Sequence, residues 1–409
     1  MMLLKPIAGA CVSLFLLFSC KTRATSTHIE VTGAPERQGL TEKQYIKVVG
    51  DQAYIGAKFD KTQDITILFR KCMFNDLMTF FQIGLANNSS ALPSKTPERK
   101  PDQILNLTTS DNIGPVLIQG GSWIGGNHSY QETGKSKTAK TLSYAFYADG
   151  ELLKAGDERW AQVVTVRVKN ALYDPLRPGP QSDGEQTSLD HTLILEDVIY
   201  TILGGSIQVE LSHKYQSNEK RIVERYYGMQ SMFVGETDLM TPNGPFSDFQ
   251  RIPEDTTFSK RAGQDFNRII ELNSVTGICQ STFLYPEPKR FLGKDNKAFI
   301  RAYGKSYHNL LASKEIKKGE FFSWSGLYTW FRPLTNNHNY LAYCGKMEGE
   351  QLIFIDCKCP FQGEIVLPNS LLNKKYRILF LDQGIGIQKS KQGLKMKAKR
   401  NGSLILAYK

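Results

Sequence analysis

The chain alternates hydrophobic and polar residues over several stretches, a pattern typical of half-buried β-strands. Residues 164–169 read VTVRVK and residues 206–215 read SIQVELSHKY, so apolar side chains fall on one face and polar ones on the other. Dipeptides typical of turns, such as Asp149-Gly150 and Asn401-Gly402, separate such stretches. Helical periodicity is scarce, and the pattern therefore predicts an all-β protein.

Strands that recur roughly every 8–14 residues favour a large antiparallel β-sandwich, or two sandwiches packed together as a supersandwich. The sequence shows no repeat of constant period, which weighs against a propeller or a β-helix. A segment rich in charge and threonine follows Pro253 and suggests a boundary. We expect the large sandwich domain over residues 40–255 and a smaller C-terminal β-domain over residues 256–409.

Residues 1–19 predict a secretory signal peptide, with a basic start and an apolar run too short to span a membrane. The run ends in Leu17-Phe18-Ser19-Cys20, which resembles the lipobox of bacterial lipoproteins, where the cysteine is acylated. An ordinary secretory signal with a chance cysteine is the alternative. Residues 20–39 are polar and predict a flexible tether. We expect a cell-envelope protein, lipid-anchored at Cys20 to a bacterial membrane and either periplasmic or surface-exposed.

The chain is basic, with 51 Lys and Arg residues against 40 Asp and Glu residues and a formal charge of +11. An exported basic protein suggests an anionic partner such as an acidic polysaccharide or glycan, whereas nucleic acid is a poor candidate outside the cell. A generic basic surface is the alternative. Part of the excess lies near the C-terminus, in Lys374, Lys375, Lys389, Lys391, Lys395, Lys397, Lys399 and Arg400.

Five cysteines follow Cys20, at positions Cys72, Cys279, Cys344, Cys357 and Cys359. An odd number at wide spacing does not suit a small disulfide scaffold, although Cys344 is close enough in sequence to pair with Cys357 or Cys359. Most are predicted to be buried small hydrophobic side chains. No histidine stands at ligand spacing and no nucleotide motif is present, so we predict neither a metal site nor a cofactor.

Residues 120–130, GGSWIGGNHSY, hold the densest group of candidate functional side chains. Glycine allows positive φ and close approach, so the two glycine pairs predict a loop that presents Trp123 and His128 at the end of a strand. His128 can exchange a proton near neutral pH, Asn127 and Tyr130 offer polar groups, and Trp123 can stack on a sugar ring. The alternative is a tight turn whose tryptophan fills the sandwich.

The strand at residues 206–215 and the one that begins at Arg221 read as a hairpin. One register joins His213 and Tyr215 to Arg225 and Tyr227 on a single polar-aromatic face, and a shift of one residue brings Glu224 and Tyr226 there instead. The alternatives are a core role for His213 and an ion pair of Arg225 with Glu196 or Glu210.

A third candidate region is aromatic, with Trp324, Trp330 and Arg332 placed to form a sugar-binding platform. Alternating aromatic residues are at least as common in sandwich cores, which is the alternative.

Residues 114–230 resemble uncharacterised β-proteins of bacteria and phages that carry a Gly-Gly-x-His element, a Tyr-x-x-x-x-Asp-Gly hairpin and an Arg-Tyr-Tyr-Gly strand. This resemblance implies no activity. More distantly, a large β-sandwich in an exported lipoprotein resembles the galactose-mutarotase-like folds of polysaccharide lyases and sugar epimerases, an analogy of fold that does not fix function.

Two functions follow as hypotheses. The first is cleavage of an acidic or sulfated polysaccharide by β-elimination, which needs a base, an acid and a donor that neutralises the carboxylate. The candidate bases are His128 and His213, and the candidate acids are Tyr130, Tyr215 and Tyr227. The candidate donors to the carboxylate are Asn127 and Arg225. The second is a non-catalytic glycan-binding or structural surface lipoprotein. Either way, we expect His128 to lie near the hairpin that bears His213 and Arg225.

Overall fold

The computed structural model describes residues 43–107, 113–130, 136–177, 191–242, 244–253, 255–259, 267–285, 292–293, 297–302, 304–347, 349–367 and 369–408. The predicted signal peptide, the tether and Cys20 lie outside these residues. β-Strands predominate in the described chain, which has one helix of four residues, so the predicted all-β class is confirmed. No helix in the described ranges is long and apolar enough to cross a membrane.

The strands are numbered in chain order. The first are β1 (Gln44–Val49), β2 (Gln52–Lys58), β3 (Gln63–Cys72), β4 (Leu77–Asn87), β5 (Gln103–Leu107), β6 (Val116–Ile118), β7 (Trp123–Ile124), β8 (Ala139–Ala148), β9 (Glu151–Leu153) and β10 (Glu158–Ala161). Next are β11 (Val164–Tyr173), β12 (Thr192–Leu203), β13 (Ser206–Tyr215), β14 (Arg221–Ser231), β15 (Thr237–Met240), β16 (Thr256–Ser259), β17 (Arg268–Asn273), β18 (Ile278–Leu284), β19 (Leu292–Gly293) and β20 (Lys297–Ala302). The last are β21 (Lys305–Ile316), β22 (Phe321–Phe331), β23 (Thr335–Asn336), β24 (Tyr340–Met347), β25 (Glu350–Cys357), β26 (Phe361–Val366), the helix α1 (Asn369–Leu372), β27 (Tyr376–Leu381), β28 (Ile385–Lys389), β29 (Gly393–Ala398) and β30 (Gly402–Tyr408).

A nine-stranded sheet forms the centre of the fold, with strand order β15-β17-β18-β22-β13-β12-β11-β8-β9. Residues paired across neighbouring antiparallel strands share a side of the sheet, so the alternation in the sequence sets its faces. Val166 pairs with Tyr200, Tyr200 pairs with Val209, and all three are buried. This apolar side is called here the inner face.

Two sheets cover the inner face. One has the order β10-β1-β2-β3-β4-β5, and the other has the order β16-β20-β21-β14-β6-β7 with β19 beside β21. Phe80 of β4 contacts Tyr328 of the central sheet with ring centroids 5.1 Å apart, and Tyr226 of β14 contacts His213 at 4.8 Å. The three sheets share one hydrophobic core, in agreement with the supersandwich arrangement.

The last strands form a second pair of layers. A five-stranded sheet has the order β23-β24-β25-β30-β27, and a three-stranded sheet has the order β26-β29-β28. Together they enclose a core that includes Tyr340, Ile355 and Leu406. The five-stranded sheet also packs on the side of the central sheet opposite the inner face, where the rings of Phe331 and Tyr343 stack 3.8 Å apart.

The expected boundary after residue 255 does not coincide with a division between sheets. β13 pairs with β22 and β14 pairs with β21, so strands from both sides of residue 255 are hydrogen-bonded neighbours. Local alternation carries no sign of such long-range pairing, which is why the boundary was placed too early. The smaller C-terminal unit begins instead near Thr335, at β23.

The predicted hairpin of β13 and β14 is wrong. β13 is hydrogen-bonded to β12 and β22, whereas β14 is hydrogen-bonded to β6 and β21. Residues 216–220 carry the chain from the central sheet to the seven-stranded sheet, so the two strands face each other across the core. Neither register considered from the sequence is formed.

The five described cysteines are all free, so the disulfide considered for Cys344 is not formed. Cys344 lies opposite Ile353 in the pairing of β24 with β25, and Cys357 lies opposite Tyr340. Burial raises the pKa of the Cys357 thiol to about 12, as expected for a thiol in apolar surroundings.

Candidate functional site

The glycines of residues 120–130 shape the loop as predicted. Gly120, Gly125 and Gly126 have φ angles of 74°, 74° and 50°, in the left-handed region that residues with a side chain disfavour. The amide of His128 donates to the carbonyl of Gly125 at 3.2 Å and closes a turn. This turn places His128 on Trp123, with ring centroids 5.5 Å apart and planes inclined by 23°.

The side chain of Asn75 holds this loop in place. Its amide nitrogen donates to the carbonyls of Gly126 and His128, each at 2.9 Å, and its oxygen accepts from the amide of Thr138 at 3.0 Å. The Thr138 hydroxyl donates to the His128 carbonyl at 2.6 Å. Because Asn75 is fully buried, the loop is fixed to the interior of the fold.

Five side chains on the outer side of the seven-stranded sheet form a connected group, the Trp123 surface: Trp123, His128, Arg225, Tyr227 and Tyr307. The Tyr227 ring lies 5.2 Å from Trp123 and 5.4 Å from Tyr307. Arg225 donates through Nη1 to the Tyr227 hydroxyl at 3.4 Å. Trp123, His128 and Arg225 are half-buried and the two tyrosines are buried, so the group offers aromatic rings and a cation at the protein surface.

Cross-strand pairing brings these distant residues together. Leu117 of β6 pairs with Trp123 on one side and with Arg225 on the other, which puts the three side chains on one face. Tyr226 and Tyr227 are consecutive and point to opposite sides of β14. Tyr226 is therefore fully buried in the core, and Tyr227 joins the surface.

His213 and Tyr215 are core residues, and their prediction as catalytic groups is wrong. His213 is 0% exposed and shares a 2.8 Å hydrogen bond through Nε2 with Glu196, whose other oxygen accepts from Asn170 at 2.8 Å. Burial raises the pKa of Tyr215 well above its usual value. The alternative of a core histidine is correct, because β13 turns this side toward the inner face.

The predicted sugar platform at Trp324, Trp330 and Arg332 is also wrong. Trp324 is 1% exposed and donates to the Tyr226 hydroxyl at 2.7 Å, and Trp330 is 0% exposed and donates to Asn106 at 2.7 Å. Arg332 donates to the Thr276 carbonyl at 3.0 Å and joins neighbouring segments of the fold. These aromatic side chains fill the core, which is the alternative weighed from the sequence.

Asn127 and Tyr130 flank His128 in the loop. Asn127 is exposed, and its side-chain oxygen accepts from the amide of Phe74 at 2.9 Å, which braces the loop. Tyr130 is half-buried, and its amide donates to the carbonyl of Ser136 at 2.9 Å. Asn127 therefore positions the loop, and Tyr130 lies where the loop ends.

Sequence reasoning missed Tyr307 and Asn75. Tyr307 stands on β21, far along the chain from the loop, and no local pattern marks it. Asn75 lies in a tight turn in which Met73 and Asp76 have φ angles of 61° and 51°. The adjacent Asn and Asp are turn-forming residues, so this signal was present in the sequence.

The Trp123 surface provides aromatic rings for stacking, together with an imidazole, two phenols and a guanidinium. Within the ranges that the structure describes, no group of three or more His, Cys, Asp or Glu side chains is arranged to hold a metal ion.

Comparison with known proteins assigns no family. No family model and no curated protein matches the chain. Solved structures that match part of this chain include the galactosidase domain of an alpha-galactosidase-sucrose kinase. It has 10% identity and a TM-score of 0.40, and the match covers 70% of this chain and 42% of that chain. A GH36 alpha-galactosidase from Geobacillus stearothermophilus has 9% identity, a TM-score of 0.38 and coverage of 70% and 41%. Heparan sulfate lyase from Pedobacter heparinus has 5% identity, a TM-score of 0.30 and coverage of 76% and 41%.

The chain thus spans about two fifths of the length of these three proteins. Similarity at this level assigns no function, and the resemblance of residues 114–230 to an uncharacterised family stays a prediction.

Proposed function

We propose that the protein binds an acidic or sulfated polysaccharide at the Trp123 surface. The observation that carries this proposal is the stack of the half-buried Trp123 and His128 rings beside the Arg225–Tyr227 contact. Aromatic rings supply rigid apolar faces on which sugar rings pack, and a guanidinium binds a carboxylate or sulfate through paired N–H donors. The formal charge of +11 favours an anionic polymer over a neutral one.

Binding is tested with heparin and polygalacturonate as anionic probes and dextran as a neutral one, by calorimetry. Trp123→Ala should weaken binding of the anionic polymers by about tenfold or more, because the stacking face is lost. Trp160→Ala is the matched control, since Trp160 is also half-buried and packs edge-on against Tyr45 at 5.0 Å, on another sheet. Equal effects of the two substitutions would exclude the Trp123 surface as the binding site.

The contact of Arg225 with Tyr227 favours a second candidate function at the same surface, cleavage by β-elimination. His128 would take the C5 proton of a uronic residue, and the electrons of that bond would form the C4–C5 double bond. The C4–O bond would break, and its oxygen would receive the phenolic proton of Tyr227. The adjacent guanidinium stabilises the phenolate that remains.

Cleavage is tested by following the ultraviolet absorbance of the unsaturated product. Tyr227→Phe should abolish product formation and leave affinity nearly unchanged, because phenylalanine keeps the ring beside Trp123 and loses the hydroxyl that donates the proton and accepts the long bond from Arg225. If the wild-type protein binds uronic polymers and releases no unsaturated product, the protein is a binding module.

We also propose that Cys20 carries a lipid anchor, which would hold the folded body near a bacterial membrane. This rests on the sequence Leu17-Phe18-Ser19-Cys20 alone, which lies outside the described residues.

A further inference from the structure

The excess positive charge of the chain is concentrated in one short segment. Residues 369–400 hold nine Lys or Arg residues against one Asp, a formal charge of +8 compared with +11 for the whole chain. Most of this segment belongs to β27, β28 and β29. The Trp123 surface, on a different sheet, therefore does not account for most of the net charge.

In the three-stranded sheet, β29 of this segment has an apolar side and a cationic side. Leu394, Met396 and Ala398 of β29 are buried in the C-terminal core. The residues between them in β29, Lys395 and Lys397, project the other way and are exposed. Lys399, in the bend that follows the strand, is exposed as well. Alternate residues of a strand are about 7 Å apart, so Lys395 and Lys397 are about 7 Å apart, and Lys399 continues the row beyond the end of the strand.

Polar side chains flank this row. Lys397 pairs with Gln362 of β26, and Lys395 pairs with Gln388 of β28. These five residues define the Lys397 face: Gln362, Gln388, Lys395, Lys397 and Lys399. Glu364 also pairs with Lys395, but in the described part of the chain none of the three lysines forms an ion pair.

We propose that the Lys397 face is a second binding surface for an anionic polysaccharide, which lies along β29. Ammonium groups spaced along a strand match a polymer that bears carboxylates or sulfates, and the glutamine amides can donate to and accept from sugar hydroxyls. A bilayer fits less well, because surfaces that lie in a membrane interface combine basic residues with apolar ones. On this face the neighbours of the lysine row are Gln362, Gln388, Glu364 and Gly386.

The inference rests on the proposed function for its choice of polymer class. It adds a second contact, which allows one long chain to touch the protein at two places and so to bind more tightly than a short one.

The test is a triple variant, Lys395→Gln, Lys397→Gln and Lys399→Gln, which changes only exposed side chains. The matched control, Lys61→Gln, Lys100→Gln and Lys154→Gln, removes the same charge from exposed positions elsewhere. Binding of heparin and polygalacturonate at low salt should weaken about tenfold or more in the triple variant, because three charge-assisted contacts are lost, and little in the control. The difference should shrink at high salt.

Equal losses in the two triple variants, or none in the Lys397-face variant, would overturn the inference. So would binding to phosphatidylglycerol vesicles that depends on these lysines while heparin binding does not. Trp123→Ala separates the two proposals: if it weakens binding and the Lys397-face variant does not, the proposed function stands and the second surface fails. A wild-type protein that binds neither anionic polymer contradicts both.

Discussion

Replacing Asn75 with Ala should destabilise the protein and release the loop that carries His128. The substitution removes the hydrogen bonds to the carbonyls of Gly126 and His128 and those from the amides of Thr138 and Ala139. The His128 carbonyl keeps the Thr138 hydroxyl as a donor, so the Gly126 carbonyl and the Thr138 amide lose a short bond and the Ala139 amide loses one of 3.3 Å. Each short bond lost costs about 1–3 kcal/mol, and we expect a loss of about 2–5 kcal/mol in the free energy of unfolding, measured by denaturant titration.

Two further variants separate hydrogen bonding from loss of volume. Asn75→Asp keeps the size but turns a carboxylate oxygen toward the Gly126 and His128 carbonyls, so it should be at least as destabilising as Ala. Asn127→Ala removes the bond that the Phe74 amide donates, at an exposed position, and should cost less than about 1 kcal/mol. If Asn75→Ala unfolds within about 0.5 kcal/mol of the wild-type protein, this side chain does not clamp the loop.

Three other predictions concern separate parts of the chain. Burial outweighs the attraction of Arg268, which lies 2.6 Å away, and raises the pKa of Asp356 to about 6. Asp356 therefore stabilises the folded state at pH values below the pKa that it has in the unfolded chain, and this stabilisation is lost as the pH rises through 6. The free energy of unfolding relative to Asp356→Asn should therefore fall by on the order of 3 kcal/mol between about pH 4 and pH 7, and a constant difference would contradict this. His128→Ala should weaken polymer binding in calorimetry and lower the free energy of unfolding by less than about 1 kcal/mol, since the ring is half-buried. A large loss of stability with unchanged binding would show that His128 is a packing residue. Cys20→Ser should move the protein from the membrane fraction to the soluble fraction. The lipid anchor is excluded if the variant stays in the membrane fraction and the wild-type protein carries no lipid by mass spectrometry.

The faces of the strands were predictable because alternation is a local property. The apolar side of β11 and of β13 is buried as their sequences indicate, although Ser206 and Gln208 on the polar side of β13 are buried too. The partners of each strand were not predictable in this way, since β14 pairs with β21 and β13 pairs with β22 from the far part of the chain. The hairpin and the boundary after residue 255 were both wrong for this reason.

The same limit explains the outcome for the site. Both His128 and His213 were candidate bases in the sequence. His213 lies on the side of β13 that faces the core, whereas His128 lies on a loop shaped by three glycines with positive φ. The glycine pattern was informative because positive φ is a local requirement. Tyr307 reaches the Trp123 surface only through the pairing of β21 with β14, which no local pattern reveals.

Oxidative footprinting with mass spectrometry can locate an anionic polysaccharide on the Trp123 surface. The wild-type protein is labelled with hydroxyl radicals with and without heparin, and oxidation of Trp123 is compared with that of Trp160. We expect heparin to protect Trp123 and to leave Trp160 unchanged, since both are half-buried but only Trp123 lies beside His128 and Tyr227. Equal oxidation of Trp123 with and without saturating heparin would contradict this expectation.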